Sequence, residues 1–282
     1  MPIEVLRYAA FTSRGTGGNP AGVVLDAGEL AKDDMQRIAT QIGYSETAFV
    51  VRGANETNVY EVRFFTPVQE VPFCGHATIA AAVALAERTP ASDLQFHTPS
   101  GLVAVQTQHT DAGIVAELTS VAPRIRELEP ALLSATLAAL RWSANDLDSD
   151  YPPCLANAGA EHLILVVSSH ARLRDLNYDF DRLAAIMQDH GLVTCQLIWP
   201  ERVDHFHSRN PFAGNGVVED PATGAAAAAF GGYLRELGKI GMTAEFTISQ
   251  GIEMGRPSLL MVSVIEGEPG VRVKGAAASI ES

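Results

Sequence analysis

Cysteine is scarce: three residues, at 74, 154 and 195, in a chain of 282, with no Cys-x-x-Cys pair. An odd, sparse set argues against a disulfide framework and points to reduced thiols in the cytoplasm. Positive charge is also short, 20 Lys and Arg against 33 Asp and Glu, for a formal net charge of −13. Binding a phosphate backbone needs concentrated cations, so nucleic acid is disfavoured as a partner, while a small anion can still be held by a local field. No apolar run approaches the roughly 20 residues of a membrane helix. The start, MPIEVLRYAAF, lacks the basic region and long apolar stretch of a signal peptide. Dinucleotide, P-loop and nucleophile-elbow glycine motifs are missing, so nothing demands a metal, nucleotide or flavin.

What is present is globular: 47% hydrophobic residues, and prolines and glycines spread along the chain. The length suggests two domains. Short runs rich in Val, Phe and Thr, bounded by Gly, Pro or Asp, read as strands at 21–26, 47–51, 59–65, 94–98, 102–108, 114–118, 162–167, 196–200, 245–249, 258–264 and 271–274. Met35, Ile38, Ala39 and Ile42 keep helical spacing, with Gly43 as a stop. Residues 130–141 and 173–190 also read as helices. Many strands and few helices predict an α+β fold with much antiparallel sheet.

An internal repeat organises the chain. Glu70-Val-Pro-Phe-Cys-Gly-His-Ala aligns with Glu219-Asp-Pro-Ala-Thr-Gly-Ala-Ala as E-x-P-x-x-G-x-A, at an offset of 219 − 70 = 149. A strand bearing Phe and then Gly follows each copy, Phe96 and Gly101 against Phe246 and Gly251. Duplication predicts two pseudo-symmetric halves, 1–122 and 123–282, joined near 122–129. Each copy opens an Ala-rich helix that is apolar on every face, hence buried. The expectation is a central helix in each half, wrapped by a strongly curved sheet.

The start of a buried helix presents unpaired N–H groups and the positive end of its dipole, which suits an anion. The plainer alternative is that Thr223 or nearby acids cap these ends. Glu46, between a helix stop and an apolar strand, is placed to take and return protons, or is a solvated strand end. His76 follows Gly75 in the first central helix and is either a proton donor or a satisfied histidine. Asp220 opens the second copy and either orients Glu46 or His76 or caps its helix. Cys74 is equivalent to Thr223, so no opposed thiol pair exists. His205-x-His207 is the only close histidine pair; with no third ligand in the pattern it reads as strand surface rather than zinc.

GGNPAGVV, SETAFV, VPFCGHATIAAAVAL, EDPATGAAAAAFGGYL and GIEMGRPSLLMVSV, in order from residue 17 to 264, resemble the phenazine-biosynthesis PhzF-like isomerase family. The resemblance implies the diaminopimelate-epimerase type of fold, with a curved, mostly antiparallel sheet around a central helix in each half. It also implies an active site between the halves and a C-terminal strand at 271–282 that returns to the first. It implies a cofactor-independent homodimer moving a proton on a small carboxylate-bearing, dihydroaromatic-acid-like substrate. Glu46 takes the place of the acid/base, with His76 and Asp220 beside it. Asn19, Gly75, Ala77, Gly224, Ala225 and Ala226 take the substrate-binding places. The family usually reads EDPATGS, and Ala225 replaces that serine. The alternatives are an amino-acid racemase or epimerase on the same fold, or a binding protein that has lost catalysis.

Overall fold

The computed structural model describes residues 3–53, 58–89, 92–111 and 113–281. The chain forms two compact units, 1–119 with 274–282, and 120–273. Elements of the first are β1 (Leu6–Ala10), β2 (Asn19–Val24), α1 (Lys32–Ile42), β3 (Glu46–Arg52), β4 (Val59–Phe65), β5 (Glu70–Val71), α2 (Gly75–Ala86), β6 (Asp93–Thr98), β7 (Gly101–Thr110) and β8 (Gly113–Thr119). The second holds β9 (Arg124–Glu127), α3 (Pro130–Leu140), β10 (Cys154–Asn157), β11 (Glu161–Val166), α4 (His170–Arg174), α5 (Phe180–Asp189), β12 (Thr194–Arg202), β13 (His205–Phe212), β14 (Val217–Asp220), α6 (Gly224–Glu236), β15 (Ala244–Gln250) and β16 (Ser258–Val264). The last strand, β17 (Arg272–Ser279), starts in the second unit and pairs antiparallel with β1 of the first.

In the first unit the pairings close on themselves. The order β17-β1-β2-β3-β4-β6-β7-β8 returns to β17, which pairs β8. A closed sheet leaves no open edge, and here it surrounds α2, which packs on β1, β2, β3, β7 and β8. Every residue from His76 to Ala86 is buried. Apart from His76 and Thr78 these are Ala, Val, Leu and Ile, and the alanines let strand backbones pass close to the helix.

The second unit repeats the same order of strand senses. From β17 to β7 the first unit runs antiparallel, antiparallel, parallel, antiparallel, parallel, antiparallel. From β9 through β10, β11, β12, β13 and β15 to β16 the second does likewise. Its central helix α6 packs on β9, β10, β11 and β16. The duplication read from one octapeptide therefore extends to topology. The segment 122–129 holds β9, a strand of the second unit.

Two local outcomes follow from single residues. Gly43, left-handed at φ 70°, ends α1 and donates its N–H to Ala39 O at 3.1 Å, so the chain turns into β3 at Glu46. The single helix expected over 173–190 is instead two, α4 and α5. Asp179 breaks it: its carboxylate accepts the Arg182 N–H at 3.1 Å, starting a new helix rather than continuing the old one. Among the described residues no helix is long and apolar enough to cross a membrane.

The glutamate of each repeat is an anchor. Glu70 takes two hydrogen bonds from Arg63, at 2.7 and 2.9 Å. Glu219 takes two from Arg209, at 3.0 and 2.6 Å. Each arginine lies two residues before the strand partner of its glutamate, Phe65 for Glu70 and Pro211 for Glu219. Both forks thus pin the loop that leads into a central helix. Such two-point pairs are the stronger kind of charge-assisted bond. Arg63, with Lys32 at 3.0 Å, holds the Glu70 carboxyl down from 4.5 to about 2.

A depressed folded value means that this stabilisation is fully present above the unfolded value and is lost as pH falls through the folded one. Urea unfolding of wild type and Glu70→Gln should therefore show their largest stability difference above pH 5, shrinking toward nothing near pH 2. Glu219 is almost fully buried, at 4% side-chain exposure. Glu219→Gln, which leaves the partly buried Arg209 without its counter-charge, should cost about 3 kcal/mol in the same assay.

Candidate active site

Glu46 opens β3, directly after the α1 stop, and His76 lies in the first turn of α2. The barrel brings them together: His76 Nε2 is 3.4 Å from Glu46 Oε2, with side chains 7% and 13% exposed. That carboxylate oxygen is buried and makes no hydrogen bond. Burying an unpaired acceptor is costly, so it needs a compensating role. The histidine ring is held on both sides. Ser45 Oγ lies 3.3 Å from Nε2, and Cys74 Sγ lies 3.3 Å from Nδ1.

Glu46, Cys74 and His76 offer ligand atoms all within 4.8 Å of one another, so the trio could also hold a metal ion. Asn19 is buried at the start of β2. Ala21, two residues on, is the parallel partner of Glu46. Alternation therefore puts Asn19 on the same sheet face as Glu46. Gly75 and Ala77 flank His76, and no side chain caps α2.

The second unit builds its own version of this corner. Thr223 does not cap α6. Its hydroxyl instead donates to Asp220 Oδ2 at 2.5 Å. Gln250, buried at the end of β15, braces the same loop. Its Nε2 donates to Asp220 O at 2.7 Å and to Thr223 Oγ1 at 3.1 Å. Its Oε1 accepts from Thr223 N at 3.3 Å and from Ser208 Oγ at 3.2 Å. Gly251, left-handed at φ 73°, lets the chain pass: a Cβ there would lie 2.4 Å from Arg256 O and 2.8 Å from Pro221 O. Neither N-cap residue, Cys74 nor Thr223, closes its helix with a side-chain bond, so Thr223 is not the cap of α6. Gly224 and Ala226 are buried, whereas Ala225 is partly exposed.

Strand register locates the counterpart of Glu46. In β2–β3 the parallel pair is Ala21 with Glu46, and in β11–β12 it is His162 with Thr194. Thr194 is thus the equivalent, at 194 − 46 = 148 residues further on. It is a buried hydroxyl, bonded to His162 Nδ1 at 2.8 Å and to Asn210 Nδ2 at 3.3 Å. Burial lowers His162 to about 4, so this imidazole is neutral. Ala225 stands where His76 does, and Thr223 where Cys74 does. At these three positions, therefore, an acid, an imidazole and a thiol occur in the first half and not in the second.

Ser45, Thr194 and Gln250 were not singled out in the sequence. Ser45 sits inside the quoted SETAF and had a signal. Gln250 just precedes the repeat glycine Gly251 but carries no motif, and Thr194 emerges only from strand register. The remaining thiols take no part: burial pushes both Cys154 and Cys195 up to about 12, which keeps them protonated.

Residues 8–282 match the model of the phenazine biosynthesis-like protein family, PhzC-PhzF. An uncharacterised isomerase of Bacillus subtilis is 30% identical over 289 aligned residues, covering 99% of this chain and 96% of that one. A trans-2,3-dihydro-3-hydroxyanthranilate isomerase of Pseudomonas chlororaphis is 33% identical over 256 residues, 89% of this chain and 86% of its own. The crystal structure of a PhzF-family phenazine biosynthesis protein from Bacillus anthracis superposes with a TM-score of 0.89 at 26% identity, covering 99% of this chain and 97% of that one. The two barrel-like halves, the paired Ala-rich helices and these likenesses agree: the chain belongs to the PhzC-PhzF phenazine biosynthesis-like family, and its chemistry is that of an isomerase.

Proposed function

We propose that the protein moves a proton within a small carboxylate-bearing substrate by general acid/base catalysis, with Glu46 as the one group that takes and returns it. The observation that carries this reading is the buried, unbonded Glu46 Oε2 set against His76. An unsolvated carboxylate with a free lone pair is a competent base, and once protonated it is the acid for the return step. In the forward step a substrate C–H proton passes to Glu46 and the electron pair enters the substrate π-system. In the second, the protonated Glu46, free to exchange with solvent, returns a proton to a different carbon as the double bonds shift, so no redox partner is needed. His76, steadied by Ser45 and Cys74, accepts or donates a hydrogen bond as Glu46 changes charge.

The asymmetry between the halves supports one base over two. A racemase working from opposite faces of one carbon needs a second base, and the places equivalent to Glu46, Cys74 and His76 hold Thr194, Thr223 and Ala225. The uncapped start of α2, at Gly75 and Ala77, suits the substrate carboxylate. By the family resemblance Asp220 keeps its catalytic assignment beside Glu46 and His76, and Asn19, Gly75, Ala77, Gly224, Ala225 and Ala226 keep their substrate-binding assignment. The reading includes a cofactor-independent homodimer and a dihydroaromatic acid as substrate, the class named for the Pseudomonas relatives.

Glu46→Gln keeps size and removes the base. With trans-2,3-dihydro-3-hydroxyanthranilate in D2O, followed by NMR, turnover and solvent deuterium incorporation should both fall about 10²–10⁴-fold. Undiminished exchange in the folded variant would overturn the assignment of Glu46. Ala225→Ser is expected to raise kcat/KM on that substrate by roughly fivefold to tenfold, the worth of one added hydrogen bond. An unchanged value would mean that position 225 does not set the substrate.

A further inference from the structure

We propose that Glu201, His205 and His207 form a binding site for a divalent transition metal of the zinc class, on the second unit and independent of the proton-transfer chemistry. The sequence offers only His-x-His. The third ligand comes from the other strand of the hairpin, and a bulge delivers it. Trp199 faces His207 and Pro200 faces Phe206, but Arg202 rather than Glu201 faces His205. Glu201 is the extra, unopposed residue, and bulges characteristically re-aim such a side chain.

The distances suit a metal better than direct bonds. Glu201 Oε2 lies 3.5 Å from His207 Nε2 and 3.6 Å from His205 Nε2. Both are long for hydrogen bonds. A tetrahedral zinc with ligand bonds of about 2.0–2.1 Å has edges of about 3.3–3.4 Å between ligand atoms. All three ligand atoms already lie within 4.8 Å of one another, so slight side-chain shifts close the site.

The tautomer of His205 can be read from its neighbours. Thr247 Oγ1 donates to Asp204 O at 3.3 Å and therefore accepts from His205 Nδ1, 2.6 Å away. With its proton on Nδ1, His205 presents a lone pair at Nε2, on the side of Glu201. A ligand imidazole whose other nitrogen donates to a fixed acceptor is the usual arrangement around metals. Ser249 Oγ, 3.2 Å from the same Nε2, is the bond a metal would displace.

His207 is held by rings. Trp199 lies 5.4 Å and His170 4.9 Å from it between centroids, and His170 stacks on Trp199 at 4.5 Å. The histidine side chains are 15% and 16% exposed and Glu201 39%, so solvent can reach a fourth coordination position. Arg202 also approaches Glu201, at 3.5 Å, but its side chain is 62% exposed and has Asp204 as a second partner. It can swing aside.

Calorimetric titration of the full chain with zinc(II) tests the site. Wild type should bind, and Glu201→Gln and His207→Ala should each weaken binding by roughly tenfold or more. Copper(II) should quench the emission of Trp199, and His207→Ala should abolish that quenching. Glu201 is surface-exposed, so its variant should keep the wild-type circular dichroism spectrum and separate ligand loss from misfolding. Cys74→Ala should bind zinc like wild type. No zinc binding by wild type, equal binding in both hairpin variants, or loss in Cys74→Ala would overturn the proposal.

Discussion

A helix with no polar face has to be enclosed on every side, and both halves of this protein are built to meet that demand. An amphipathic helix is content to lie on one sheet face. The helices opened by GHATIAAAVALA and GAAAAAFGGYLRE need a sheet that curls right round them, and alanine keeps them thin enough for it to do so. In the first half the curl goes to closure, with β17 returning to complete the ring. The Arg–Glu forks then fix where each helix begins. Chain direction, loop position and the placing of His76 all follow from that enclosure.

Duplication gave two corners of the same shape but not of the same chemistry. The strand-start position is Glu46 in one half and Thr194 in the other. The first-turn position is His76 in one and Ala225 in the other. The loop of the second corner is braced by Gln250, which makes four bonds. The first keeps a carboxylate oxygen without a bond.

The elements that set the fold were largely legible because they depend on local chemistry. Pro and Gly mark the helix starts, Gly43 marks a stop, and alternation marks the strands. Glu46 and His76 were legible because the repeat and the motifs flag them. Asp179 shows the limit: its capping bond competes with continued helical spacing, and periodicity alone favoured one long helix over 173–190. Gln250, Thr194 and the Glu201 bulge were hidden because their partners lie on other strands. Register decides such contacts, and a one-residue shift in pairing, as between Pro200 and Arg202, leaves no mark in the sequence.

The enclosure of the central helices also bears on how such an enzyme can change. Along α6 the residues from Ala226 to Leu234 are sealed in by strands, where one added methyl meets close-packed neighbours. At Gly232 a Cβ would come within 2.3 Å of Pro123. Ala225, in the first turn, is partly exposed. The fold therefore steers tolerated variation toward the first turn of the helix. Side chains can be exchanged there while the enclosed part of the helix is left untouched, which makes a rigid scaffold an adaptable one.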